Sequence, residues 1–265
     1  MLPLLQDILA VVSGAGVGLA LGLVGGGGSI LAVPLLFYVV GVGSPHVAIG
    51  TSSVAVAASP AFGLLGHARA HTVKWPCALT FAGAGVVGAA LGATVGKSVD
   101  GEKLLALFGV LMVVVGLSML RPRSRGSDPD IQLTSANAWR LLPLLGGTGL
   151  VVGFASGFFG IGGGFLIVPG LIGATAMPIL NAIGSSLVSV TAFGLTTAAS
   201  YAASGLVDWW IAGLFIAGGL IGSLAGTRLS RQLAGRGQLL SRVFAAIVIA
   251  AGIYVAARGI VAWLA

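Results

Sequence analysis

The sequence predicts an all-α integral membrane protein: two inverted five-segment repeats, about eight to ten transmembrane helices in all, with glycine-rich helix breaks. Three observations carry this. Of the 265 residues 57% are hydrophobic and only 7% charged, with a mean hydropathy of +1.10, whereas a soluble domain carries roughly a quarter charged residues. Several apolar runs approach or exceed the ~20 residues that a helix needs to cross a hydrocarbon core, and none shows the alternation of a barrel strand. Finally, the second half of the chain repeats the first with its loop charge reversed.

In the first half, residues 1–120, the apolar segments fall at about 4–24, 29–43, 47–66, 76–96 and 104–120. The first lacks a basic leader and a small-residue cleavage site and runs straight into a glycine cluster, so it reads as a span and not as a removable signal peptide. The second, 15 residues or ~22 Å of helix, is short for a crossing and reads either as a full span, the fifth crossing of its half, or as a re-entrant or broken half-helix, and the same choice holds for 163–180 in the second half. Residues 121–138 follow, opening "RPRSRGSDPDIQLTSAN", polar and rich in proline and serine, which marks an exposed linker. In the second half, residues 139–265, the segments fall at about 139–159, 163–180, 182–204, 209–227 and 239–262.

The two halves align. "GLVGGGGSILAVP" (22–34) and "GFFGIGGGFLIVP" (157–169) share seven of thirteen positions, with Pro34 and Pro169 in register. "AIGTSS" (48–53) answers "AIGSSL" (182–187), "VKW" (73–75) answers "VDW" (207–209), and "GVVGAALG" (85–92) answers "GLIGSLAG" (219–226). Such self-similarity marks a tandem duplication.

Charge sets the relative orientation of the copies. The linker holds Arg121, Arg123 and Arg125, which places it in the cytoplasm by the positive-inside bias. The loop after the third segment of the first half holds Arg69 and Lys74; its counterpart holds only Asp208, and the next loop holds Arg228, Arg231, Arg236 and Arg242. This swap is expected of inverted repeats with an odd number of crossings, an arrangement common in secondary transporters. Five crossings per half put both termini outside.

Clustered glycine followed by proline interrupts a helix at membrane depth, which is tolerated only where the backbone faces protein or a water-filled cavity. The N-terminus of the following half-helix then offers unpaired N–H groups and partial positive charge to an anion. On this reading the candidate substrate-binding residues are Gly25, Gly27, Gly28 and Ser29 in the first break and Gly160, Gly162, Gly163 and Gly164 in the second. The paired hydroxyls Thr51 and Ser52, and Ser185 and Ser186, join them. These hydroxyls suit either donation to an oxyanion or helix capping and interhelical bonding, and both readings stand. The GxxGxxxG pair reads as close helix packing.

Other chemistries are not supported. "GKS" at 96–98 lacks the glycine that a phosphate-binding loop needs, since Leu91 stands there. His67 and His71, with Cys77 nearby, read as a solvated turn and not a metal site. A single cysteine excludes an intrachain disulfide. All six acids, Asp7, Asp100, Glu102, Asp128, Asp130 and Asp208, fall at helix ends or in loops, so no carboxylate stands mid-membrane to relay protons. The net charge of +7 reads as a topology signal and not as nucleic-acid binding. No enzymatic activity, cofactor or metal is expected.

The doubled "GLVGGGGSILAVPLL" and "GFFGIGGGFLIVPGL", each followed by an "AIG[ST]S" element and a glycine-patterned helix, resemble the TauE/SafE family of sulfite exporter-like permeases, over about residues 8–258. The resemblance implies a multi-pass permease of a bacterial or archaeal inner (plasma) membrane that moves small sulfur-containing anions: sulfite, thiosulfate, or an organosulfonate such as sulfoacetate. The first copy departs in carrying Ser29 where the second has Gly164, which makes the two half-sites unequal. The function expected is anion export by alternating access between the repeats. An anion channel or facilitator, and a membrane-embedded assembly factor using His67 and His71, are the alternatives. The expected partners are the lipid bilayer and the sulfur oxyanion or sulfonate; a homodimer is left open.

Overall fold

The computed structural model describes residues 3–24, 26–69, 71–120, 137–232 and 237–264. All regular structure among them is helical: α1 (Pro3–Val24), α2 (Ala32–Pro34), α3 (Pro45–Arg69), α4 (Trp75–Ser98), α5 (Gly101–Leu120), α6 (Ala138–Phe159), α7 (Gly164–Thr175), α8 (Ile179–Ala203), α9 (Trp209–Gln232) and α10 (Gly237–Leu264). The short α2 is flanked by a 3-10 turn, Gly26–Leu31, and a π-helical turn, Leu35–Val39.

Among the described residues seven helices, α1, α4, α5, α6, α8, α9 and α10, are long and apolar enough to cross a membrane. The 24 residues of α4 give about 36 Å of helix, more than a ~30 Å hydrocarbon core. The protein buries only 33% to 56% of each spanning window; the remainder is exposed apolar surface such as Val151, Ile221, Leu224 and Val261. A surface of that kind is stable against lipid and not against water.

Two expected boundaries shift. α3 is 25 residues long and continues to Arg69, so His67 lies on a helix and the connection to α4 shortens to the few residues before Trp75. The segment expected at 163–180 divides, because Ala176 takes a left-handed φ of 58° after α7 and α8 begins only at Ile179. The linker residues 121–136 lie outside the described residues.

Glycine stripes fix how the helices pack, since several come so close that a Cβ would overlap the neighbouring backbone. On α1, Gly14, Gly18 and Gly22 meet Phe215, Gly219 and Gly226 of α9, with 2.0 Å between the Gly219 carbonyl oxygen and a Cβ placed at Gly18. The residue numbers rise together, so α1 and α9 run parallel. On α4, Gly85, Gly88 and Gly92 meet Gly149, Leu150 and Phe154 of α6, again parallel. The other principal pairs are antiparallel. Gly50 of α3 lies against Tyr201 of α8 while Gly194 of α8 lies against Ala57, and Gly109 of α5 lies against Ala256 of α10 while Gly116 lies against Ala245. Close approach of small residues is the packing device expected where lipid supplies no hydrophobic drive between helices.

These directions sort the charged residues onto two faces. Arg69, Lys74, Arg140, Arg228 and Arg242 end or begin helices on one face, together with the exposed Trp75 and Trp139. On the other lie all the described acids, Asp7, Asp100, Glu102 and Asp208, with Lys97, Lys103 and Arg258 and the exposed Trp209 and Trp210. Asp7 there accepts a 3.0 Å hydrogen bond from Trp210 Nε1. Indole rings at both ends of a helical bundle match the aromatic belts of the membrane interface. Between the faces, residues 8–68 and 141–207 contain no Asp, Glu, Lys or Arg.

Candidate functional site

Glycine builds the second break. Gly160 caps α6 with φ 67°, Gly162 follows at φ 62°, and Gly163 caps the start of α7 at φ 69°. A left-handed conformation strains any residue with a Cβ. Crowding adds to this, because a Cβ at Gly160 would sit 2.2 Å from Ile49 Cγ2 and one at Gly162 would sit 2.5 Å from Val56 Cγ1. Ile161 N–H donates back to the Ser156 carbonyl at 3.3 Å, which closes α6. α7 then begins at Gly164, and no side chain caps its N-terminus. Leu166 and Ile167 N–H groups both turn to the Gly163 carbonyl, at 2.8 and 2.9 Å.

In the first break α1 ends at Val24, Gly25 lies outside the described residues, and Gly27 and Gly28 stand in the 3-10 turn. Gly28 is pressed on α1, where a Cβ would meet Leu21 N at 2.4 Å. Ser29 is buried. Pro34 cannot donate a backbone hydrogen bond, and the chain continues as a π-turn that Val40 N–H closes on the Leu35 carbonyl at 2.9 Å.

The two breaks meet. The 3-10 turn Gly26–Leu31 packs against α7, and Ile30 and Val33 from the first break share one buried cluster with Ile161 and Phe165 from the second. Gly162 lies against Val56 of α3 and Val190 of α8, close to where those helices cross at Ala57 and Gly194.

The four paired hydroxyls are buried, and Thr51, Ser52 and Ser185 tie the halves together. Thr51 Oγ1 accepts from Asp208 N–H at 3.0 Å, just ahead of α9, where Asp208 Oδ1 caps Ile211 N–H at 3.0 Å. Its repeat counterpart Ser185 accepts from Lys74 N–H at 2.9 Å, just ahead of α4. The second hydroxyl of each pair turns back on its own helix, Ser52 to the Ile49 carbonyl and Ser186 to the Ile183 carbonyl, both at 2.8 Å. Ser52 and its neighbour Ser53 also donate to the Gly160 carbonyl at 3.1 Å, which fixes the second break to α3.

Sequence reasoning missed two residues. Ser156 on α6 and Ser189 on α8 are fully buried, and their hydroxyls have no hydrogen-bond partner. Ser156 Oγ lies 3.0 Å from where a Cβ of Gly163 would stand, and so faces the N-terminus of α7. The signal available in the sequence was a mismatch between the copies, since Leu21 occupies the position that corresponds to Ser156.

A cleft of about 380 Å³ opens between the start of α6 and the end of α7, lined by Asn137, Arg140, Leu144 and Gly173 to Ala176. It lies on the basic face. The spans and the two helix breaks that meet between them define a multi-pass helical membrane protein.

A family model described as "Sulfite exporter TauE/SafE" matches residues 10–255, and the chain belongs to that family. A "Probable membrane transporter protein" of Xylella fastidiosa (strain 9a5c) is 52% identical over 248 residues, covering 94% of both chains. "Probable membrane transporter protein YunE" of Bacillus subtilis (strain 168) is 28% identical over 243 residues, 85% of this chain and 89% of the relative. A third, "Probable membrane transporter protein MJ0441" of Methanocaldococcus jannaschii, is 28% identical over 187 residues, 68% of this chain and 66% of the relative. No solved structure matches the chain. The protein is thus a membrane transporter of the TauE/SafE family, a family of transporters and not of enzymes.

Proposed function

We propose that the chain exports a small sulfur-containing anion, sulfite or an organosulfonate such as sulfoacetate, by alternating access at the paired helix breaks between its two halves. The observation that carries this reading is the meeting of the breaks inside a bundle whose interior sequence is free of charged residues, in a chain that matches the sulfite exporter family. Half-helix N-termini and hydroxyls hold an anion by dipoles, without the full cation that would bind it too tightly to release. The candidate residues are Gly25, Gly27, Gly28, Ser29, Thr51, Ser52, Gly160, Gly162, Gly163, Gly164, Ser185 and Ser186. Thr51 and Ser185 serve as the acceptors that brace each half on the other.

The halves, 1–120 and 139–265, are inverted on this reading. Counterpart helices α3 and α8, and α5 and α10, run antiparallel, while α1 with α9 mirrors α6 with α4; an in-plane pseudo-two-fold axis produces this pattern. The face with Arg69, Lys74, Arg140, Arg228 and Arg242 is cytoplasmic, with the linker 121–138, and both termini are outside the inner membrane. The cleft beside Arg140 is then a cytoplasmic vestibule whose positive potential gathers anions for export. A negative interior assists, at ~2.3 kcal/mol per charge per 100 mV.

Purified protein in liposomes loaded with labelled sulfite, thiosulfate or sulfoacetate tests the reading. Efflux of at least one of these above that from protein-free liposomes, accelerated by unlabelled anion on the far side, is the expected result; that acceleration distinguishes a carrier from a channel. Absence of any flux contradicts it.

A further inference from the structure

We propose that the anion site is one-sided: the second break, completed by Ser156, holds the substrate's oxyanion head, and the first break does not. The inference rests on the transport reading above and names the residue and half that bind.

The behaviour of the other hydroxyls shows why Ser156 stands out. Within the described helices, many buried or lipid-facing Ser and Thr side chains return their proton to a carbonyl three or four residues earlier, as Ser52 to Ile49, Thr80 to Pro76, Thr94 to Ala90, Ser186 to Ile183 and Thr197 to Phe193; of the two buried Ser hydroxyls without a partner, Ser156 and Ser189, Ser156 is the one beside Gly163. That local bond satisfies the hydroxyl where no water is present. Ser156 does not form it. Its Oγ is buried without a partner and faces Gly163, the residue that caps α7. A buried hydroxyl left unpaired is destabilising, so its retention points to a ligand that fills it.

That ligand is an anion by the chemistry of the neighbours. α7 is twelve residues long, and its first N–H groups have no side-chain cap. Of the three left-handed glycines, Gly163 is the one that borders Ser156, while Gly160 and Gly162 lie against Ile49 and Val56 and hold the turn. In the first copy the corresponding position is Leu21, and Gly28, the counterpart of Gly163, is packed against the Leu21 and Ala20 backbone instead of facing a hydroxyl.

The site also selects charge. No Asp, Glu, Lys or Arg occurs between residues 141 and 207, so the cradle holds its ligand by neutral dipoles. Attraction to fixed dipoles grows linearly with ionic charge, whereas the cost of leaving water grows with its square. A singly charged head, –SO3⁻ or hydrogensulfite, is therefore favoured over a tetrahedral dianion of similar size.

Binding of methanesulfonate and of sulfate to the full-length protein in detergent, by titration calorimetry, tests both parts. Wild-type protein is expected to bind methanesulfonate at least tenfold more tightly than sulfate. Ser156→Ala weakens methanesulfonate binding about tenfold, the loss of one hydrogen bond to a charged group, with a melting midpoint in the absence of ligand no lower than that of the wild type. Leu21→Ala, in the first copy, leaves the affinity unchanged. Ser156→Ala protein that binds as the wild type does, or wild-type protein that binds sulfate equally well, overturns the inference while leaving transport intact. Wild-type protein that binds neither anion overturns the transport reading along with it.

Discussion

At the scale of single residues, the bundle is held by small polar groups placed where a helix begins or stops. Thr51 and Ser185 stand at equivalent places in "AIGTSS" and "AIGSSL", and each accepts the N–H of the residue just ahead of the other half's tryptophan helix. The repeat was legible in the sequence, but the partner was not, because Thr51 and Asp208 are 157 residues apart and nothing local to either predicts their meeting. Each variant removes a part-buried hydrogen bond between the halves, so Thr51→Val and Ser185→Ala are each expected to cost about 1 to 2 kcal/mol. A lowered thermal midpoint of the detergent-solubilised protein is the readout. Gly162→Ala meets two penalties at once, a φ of 62° and a Cβ 2.5 Å from Val56 Cγ1. It is expected to destabilise by about 2 kcal/mol and to lower flux beyond the loss of folded protein, measured in liposomes at matched protein content.

At the scale of elements, the sequence showed that helices break but not how. The doubled glycine and proline pattern located both interruptions, and the second falls in the expected place, between Phe159 and Gly164. The first follows a different course, a 3-10 turn and a π-turn around a three-residue helix, since the two copies differ in the residues that pack beside it, Leu21 against Ser156 among them. The glycine stripes show a similar limit. GxxGxxxG on α4 and α9 was legible as packing, whereas its partners, Gly14, Gly18 and Gly22 on α1 and Gly149, Gly153 and Gly157 on α6, become meaningful only when the helices are set side by side. Gly153→Leu and Gly222→Leu would drive a side chain into backbone about 2.1 and 2.0 Å away, a larger insult than the usual 1 to 3 kcal/mol of overpacking. Failure of both variants to give a monodisperse species on size exclusion is expected, while Gly213→Leu, at a lipid-facing glycine with nothing within 4 Å, stays folded.

For the whole molecule, composition alone made the membrane legible, because 7% charge leaves no way to cover a soluble surface. That Arg69, Lys74 and Arg140 share a face with Arg228 and Arg242 was visible only in the structure; which side of the membrane that face takes is proposed from its charge. With Cys77 replaced by alanine, single cysteines introduced at Arg123 and Ser204 report on the two faces. Only the Ser204→Cys variant is expected to react with an impermeant maleimide added outside intact cells. Reaction of the Arg123→Cys variant alone would reverse the orientation, and with it the vestibule beside Arg140.

Passage of a sulfur anion through the paired breaks is measured by labelled sulfite efflux from liposomes holding wild-type, Gly163→Leu or Gly213→Leu protein in equal folded amounts. Equal efflux is expected for wild type and Gly213→Leu, and efflux at the protein-free level for Gly163→Leu, whose Cβ alone would stand 3.0 Å from Ser156 Oγ at the start of α7. Undiminished efflux through Gly163→Leu would contradict passage through the breaks.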